Sequence, residues 1–201
     1  MLLVGLTGNY GMGKSTVLAM FKKLGAHVID SDEIVKTLLE ERSVLAQVKE
    51  VLGSRVFRSN GSLDKGKVAD AIFKDRLLRQ SMEDLLHPLV FDRMHSLLGG
   101  IKNKDKVIII EVPLLFERNY ESRFNRTITV HTGEDTALCR LEKKGVNKQE
   151  ALLRVRTQLP IDEKVRKSDY VIDNIGSGDE TFVRVKEIYK KLLSEAKDAD
   201  H

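Results

Sequence analysis

The sequence predicts an α/β fold, a doubly wound sheet of five parallel strands with helices between them. Three observations carry that expectation. Five short apolar runs alternate with segments of helical apolar spacing. The first run opens directly into Gly8-Asn9-Tyr10-Gly11-Met12-Gly13-Lys14-Ser15-Thr16, which completes the P-loop pattern G-x-x-x-x-G-K-(S/T). The third run, Val107-Ile108-Ile109-Ile110-Glu111-Val112, is nearly all apolar and β-branched, as a strand buried on both faces must be.

In chain order, residues 2–7 form the first strand, and the glycine loop follows it at once. Its glycines let the backbone curl so that several N–H groups face one anion. The helix behind it, from Thr16 through Leu24, adds its positive N-terminal end. Lys14 reaches β- and γ-phosphates, and Ser15 ligates Mg²⁺. Residues 27–30 form a second strand. A long stretch, residues 33–106, is helical by pattern: Ile34 to Leu39, then Val44 to Leu52, a turn at Ser59-Asn60-Gly61-Ser62, and helices over 68–73 and 77–98 ending at Gly99-Gly100. Strands follow at 107–112 and 127–131. A second insertion at 139–168 is dense in Arg and Lys, including Arg140, Arg154 and Lys164. Thr132-Gly133-Glu134-Asp135 and Asn147-Lys148-Gln149-Glu150 resemble helix capping boxes, and Pro160 is expected to end the second of these helices. The fifth strand is 170–173.

Composition narrows the function. The 201 residues are 41% hydrophobic and 32% charged, ordinary for a globular chain. A net charge of +4 suits an anionic ligand, but with no Trp and 5% aromatics the chain lacks stacking platforms for single-stranded nucleic acid. The one cysteine, Cys139, excludes a disulfide within the chain, points to a reducing compartment, and is expected to be a small core residue. There is no basic leader and no apolar stretch long enough for a bilayer. His27, His95 and His131 have no partners at metal spacing.

A nucleotide core with one helical and one basic insertion suggests a small-molecule kinase: one insertion holds the acceptor, and the other closes as a lid that supplies arginines and excludes water. The second strand ends in Asp30-Ser31-Asp32, where the carboxyl ends of a doubly wound sheet face the ligand. Strand alternation sends both carboxylates to one side. One can hold Mg²⁺ through water and the other can accept the acceptor's proton, or either can cap a helix starting at Glu33. Glu111 either joins the Mg²⁺ water shell or is a satisfied strand-end residue. A GTPase switch would need N-K-x-D; the nearest string, Asn103-Lys104-Asp105-Lys106, has its aspartate one place early.

Further strings are distinctive: Val28-Ile29-Asp30-Ser31-Asp32, Gly61-Ser62-Leu63-Asp64-Lys65, Leu86-His87-Pro88-Leu89-Val90, Val112-Pro113-Leu114-Leu115-Phe116-Glu117, the spaced Arg154, Gln158 and Lys164, and Asp169 through Gly176. In these, in their order, the chain resembles the dephospho-CoA kinase family over nearly its whole length. It departs from the family at Asn9-Tyr10, where Gly-Ile is commoner, at Met12 and Ser31, where small residues are usual, and at Lys65 and Lys144, where arginine is usual and lysine lacks the bidentate fork.

The resemblance implies a P-loop kinase fold with strand order 2-3-1-4-5, a core of 1–32, 107–138 and 169–201, a helical acceptor-binding insertion at 33–106, and a lid at 139–168. It implies transfer of the γ-phosphoryl group of ATP, with Mg²⁺, to the ribose 3′-hydroxyl of dephospho-CoA, giving ADP and CoA, the last step of coenzyme A synthesis. Motif and resemblance together assign Lys14, Asp32 and Arg140 to catalysis. They assign Gly8, Gly11, Met12, Gly13, Lys14, Ser15, Thr16, Arg140 and Asn174 to ATP, and Ser15 to the metal. Asp32, Lys65, His87, Pro88 and Arg154 go to the acceptor, although His87-Pro88 can instead fix a helix junction and the lid arginines can be a solvated face. The expected protein is a cytoplasmic monomer acting on a small molecule, with no nucleic-acid or membrane partner.

Overall fold

The computed structural model describes residues 1–101 and 107–198, in two compact units, one of Met1–Asp30 with Asn103–His201 and one of Ser31–Lys102. The string Asn103-Lys104-Asp105-Lys106 lies outside the described residues.

The first unit is an all-parallel sheet. Its strands are β1 (Leu2–Thr7), β2 (His27–Asp30), β3 (Val107–Glu111), β4 (Arg126–His131) and β5 (Tyr170–Asp173), in the order β2-β3-β1-β4-β5. That is the predicted order. Leu2 pairs with Val107 and Val4 with Arg126, so β1 is flanked on both sides by strands made much later in the chain. Val4, Leu6, Ile109, Ile128, Val130 and Ile172 are fully buried. Helix α1 (Lys14–Lys23) packs on the C-terminal helix, which spans Gly178–Asp198. Phe21 meets Tyr189 there edge-to-face, with ring centroids 6.1 Å apart, a geometry that adds about 0.5–1.5 kcal/mol to simple burial. This clamp holds the helix whose N-terminus the glycine loop feeds.

The second unit is helical: α2 (Ser31–Leu38), α3 (Arg42–Leu52), α4 (Lys65–Lys74) and α5 (Arg76–Gly99). Its core follows the helical period, with Ile34 and Leu38, Val44, Val48 and Leu52, and Val90 and Met94 buried. Asp64 caps α4 by accepting from the Gly66 and Lys67 N–H groups, and Asp75 caps α5 in the same way at Leu77 and Leu78. The turn before α4 is closed by an antiparallel bridge between Phe57 and Leu63. The remaining helices belong to the first unit: α6 (Glu134–Lys143), α7 (Lys148–Arg156), α8 (Ile161–Lys167) and α9, the C-terminal helix named above.

Several sequence expectations need correction. Helix α2 begins at Ser31, so strand alternation stops at Asp30 and cannot align Asp32 with it; Asp32 lies in the first turn, not at a cap before Glu33. Helix α7 ends at Arg156, and Pro160 instead stands at the N-cap of α8, where its fixed φ suits a helix entry. Gly133, not Thr132, precedes α6, and no side chain caps that helix; Thr132 is buried. Asn147 does cap α7, through the Gln149 N–H. Helix α5 runs through Pro88 without a junction, missing only the bond that a residue-88 N–H would make to Asp84. Cys139 is exposed, not in the core. Ala137 and Leu141 face inward one turn apart, which turns the residue midway between them outward.

Candidate active site

The glycine loop has the shape its pattern demands. Gly8, Gly11 and Gly13 all have positive φ, at 145°, 83° and 93°. Space as well as torsion excludes a side chain at two of them. A Cβ on Gly8 would sit 2.3 Å from the Val130 carbonyl oxygen, and one on Gly13 would sit 2.1 Å from Asn174 Nδ2. Gly13 is the N-cap of α1, and no side chain caps that helix. Its first-turn amides, at Lys14, Ser15 and Thr16, have no intrahelical carbonyl to bond, and they open on a helix N-terminus suited to phosphate.

The side chains around the loop are charged and mostly buried. Lys14 is 9% exposed; its Nζ donates to the Asn9 carbonyl at 3.5 Å and lies 3.9 Å from Glu111 Oε1. Glu111 ends β3 opposite Asp30 of β2 in the ladder. Arg140, on α6, donates through Nη2 to the Asn174 carbonyl at 3.1 Å, and its Nη1 would be 3.6 Å from a Cβ on Gly13. Arg140 therefore stands beside the loop, as its assignment requires. Asn174 is built into the loop's support: its Nδ2 donates to the Met12 carbonyl at 2.9 Å, and its Oδ1 accepts from Thr181 Oγ1 at 3.0 Å. Met12 is itself buried, with its sulfur 3.1 Å from the Thr132 N–H. Ser15 and Thr16 are exposed on the first turn of α1.

A second set of contacts, which the sequence reading left without roles, joins the loop to the turn between α7 and α8. Tyr10 donates its N–H to Gln158 Oε1 at 2.8 Å, and Asn9 Nδ2 donates to the Leu159 carbonyl at 3.1 Å. The Leu159 N–H donates to Glu117 Oε1 at 3.0 Å. Glu117 pairs at 2.7 Å with Lys164 Nζ, which also donates to the Pro113 carbonyl at 3.1 Å. Lys164 is fully buried. Burial pushes its ammonium below the usual lysine range, Glu117 opposes that, and the Lys14 charge reinforces it. Removing one partner of such a pair costs about 3–5 kcal/mol, because the other charge is stranded. Arg154 lies with its guanidinium 4.8 Å from the Tyr10 ring centroid and bonds Glu150 at 2.7 Å. The readable signal was Glu117 itself, a carboxylate ending an apolar string.

Profile comparison places residues 2–180 on the dephospho-CoA kinase family. The dephospho-CoA kinase of Aquifex aeolicus (strain VF5) is 34% identical over 190 residues, spanning 94% of this chain and 96% of that protein. This chain belongs to the dephospho-CoA kinase family. A crystal structure from Thermus thermophilus matches at a TM-score of 0.82 and 29% identity, over 96% of this chain and 97% of that one. A shikimate kinase from Acinetobacter baumannii, solved with shikimate, shares the fold at a TM-score of 0.56 and 15% identity, over 97% and 94% of the two chains.

Against the family pattern, the structure brings Gly8 to Thr16, Arg140 and Asn174 together, with Arg154 against Tyr10. The other assigned residues belong to the helical unit. Asp32 is in the first turn of α2, Lys65 opens α4, and His87 and Pro88 lie within α5. His87 is half-buried, and burial pushes its imidazole below the ordinary 6.5, with Asp84 opposing. A group whose folded pKa is depressed stabilises the fold fully above its unfolded pKa and loses that contribution as pH falls through the folded value. The melting temperature of the wild type should therefore fall more steeply than that of His87→Gln between about pH 6.5 and pH 5. Parallel thermal melts would show it; matched slopes would disconnect His87 from the acid response. Burial thus favours the neutral imidazole of His87.

Proposed function

We propose that this chain transfers the γ-phosphoryl group of ATP to the ribose 3′-hydroxyl of dephospho-CoA, releasing ADP and CoA as the last step of coenzyme A synthesis. The observation that carries this reading is the cradle at Gly8–Ser15 with Lys14 and Arg140 beside it, in a chain of this family. Phosphoryl transfer asks little covalent chemistry of a protein; positioning and charge stabilisation do the work. The loop amides and Lys14 hold the β- and γ-phosphates. Arg140 adds a planar cation beside the loop. Asp32 follows the end of β2 by two residues and supplies a carboxylate to orient and deprotonate the acceptor hydroxyl.

The donor set also fits Mg²⁺. Among the described residues no cluster of three His, Cys, Asp or Glu could cage a metal, and Mg²⁺ in such enzymes needs no cage, since it keeps waters and takes phosphate oxygens. Ser15 offers a hydroxyl on α1, and the Asp30–Glu111 pair of strand ends offers carboxylates for its waters. Bound there, Mg²⁺ would neutralise charge on the phosphate oxygens. No helix among the described residues is long and apolar enough to cross a membrane, and we read the enzyme as a cytoplasmic monomer.

The test is an ADP-release assay across dephospho-CoA, shikimate and nucleosides. Dephospho-CoA alone should give turnover; an equal rate with any other acceptor would reassign the substrate. The lid reading of 139–168 has its own check. Hydrogen exchange across this segment should slow most with ATP and acceptor both bound, and less with either alone. Slowing confined to the glycine loop would make the segment a fixed part of the core.

A further inference from the structure

The buried lysine of α8 is not explained by packing. An apolar pair of equal volume would fill the same space without desolvating two charges. What the ionic pair supplies is direction. Lys164 Nζ holds both Glu117 Oε1 and the Pro113 carbonyl, and Glu117 Oε1 in turn receives the Leu159 N–H. The Leu159 carbonyl receives Asn9 Nδ2, and the Asn9 carbonyl receives Lys14 Nζ. A continuous line of bonds thus runs from α8 through the segment after β3 and the α7–α8 turn to the lysine of the glycine loop. Thr7, the last residue of β1, joins the same line by donating to the Pro113 carbonyl at 3.2 Å. The glycine commoner in the family has no side chain to reach Leu159.

We infer that Lys164 is a positioning residue for phosphoryl transfer, setting through Glu117, Leu159 and Asn9 the place from which Lys14 meets the triphosphate. It touches no substrate; it acts on the group that does. The inference rests on the reading of the chain as an ATP-dependent kinase. ATP binding and acceptor turnover are therefore measured separately, so that a wrong acceptor leaves the ATP result standing.

The experiment compares Lys164→Met, the double variant Glu117→Leu with Lys164→Met, and Asn9→Gly, reading melting temperature, ATP affinity by calorimetry, and kcat and KM for dephospho-CoA. Lys164→Met should melt lower, because it strands Glu117. The double variant should recover the melting temperature. In both, ATP affinity should fall about 10-fold and kcat at least about 10-fold, since small displacements of a reacting group are costly. The KM for dephospho-CoA should stay within about 2-fold, because acceptor contacts are not altered. Asn9→Gly leaves the ion pair intact and cuts only the side-chain bond to the Leu159 carbonyl; its ATP affinity should fall about 3-fold. Recovery of ATP affinity together with stability in the double variant would reduce the pair to a packing unit and overturn the inference. So would wild-type ATP affinity in Lys164→Met. If the double variant fails to fold, Asn9→Gly decides: unchanged ATP affinity there overturns the inference, and weakened affinity with an unchanged melting temperature supports it.

Discussion

Lys14→Ala should lower kcat by at least about 100-fold, the scale set by losing one preorganised donor to developing charge. In the proposed reaction the ammonium would meet the transferring phosphoryl group where negative charge spreads over its equatorial oxygens. Its setting sharpens the expectation. Lys14 is nearly buried, 3.9 Å from a Glu111 carboxylate that is itself 3% exposed. An alanine there removes the cation and its ion pair with Glu111, so some loss of stability should come with the loss of activity. Lys14→Met fills the space but also lacks the charge, so it separates lost packing from the lost cation. Steady-state kinetics and melts of both variants check this. Near-normal turnover in either folded variant would sink the assignment of this loop to catalysis.

At Asp32 the two substitutions say different things. Asp32→Asn keeps the shape and can still accept a hydrogen bond, but it cannot take a proton; Asp32→Ala can do neither. A general base predicts that both lose roughly 100-fold or more in kcat. An orienting group predicts that Asn works far better than Ala. We expect the first outcome. ATP affinity should change little in either variant, because the triphosphate is held by Lys14 and the loop amides. Turnover at saturating dephospho-CoA, with direct ATP binding alongside, decides between them. Normal turnover in both would move the role to Asp30 or Glu111.

β1 and β3 were legible because a strand buried on both faces must be an apolar run, and β1, β2 and β5 have the predicted ends. The misplaced ends have local causes. Val112 precedes a proline and leaves the ladder after donating one bond to Leu6. Arg126 looks too polar to begin a strand, yet it pairs with Val4 and reaches Glu195 at 2.8 Å. The glycine loop was legible because its backbone conformation restricts its residue types. Arg140 was singled out by resemblance; in the fold it lies beside Gly13. The Glu117–Lys164 line was not legible, because its links join residues far apart in sequence, and no periodicity or local spacing encodes them. Cys139 was misread for the opposite reason: an apolar composition was taken for an inward direction, and direction on a helix depends on the residues a turn away.

The sheet order sets a schedule for synthesis. β1 leaves the ribosome before its two neighbours in the sheet, which begin at Val107 and Arg126. At ordinary elongation rates the strand waits roughly 5–20 s for the first of them. During that wait a wholly apolar strand has no ladder, while Ser31–Lys102, helical and built of contacts close in sequence, has all it needs to form. Phe21 waits longer still, for Tyr189. Until both neighbours are made, the apolar side chains of β1 have no sheet to join. The glycine loop is made well before Val130 and Asn174, the residues that close around it.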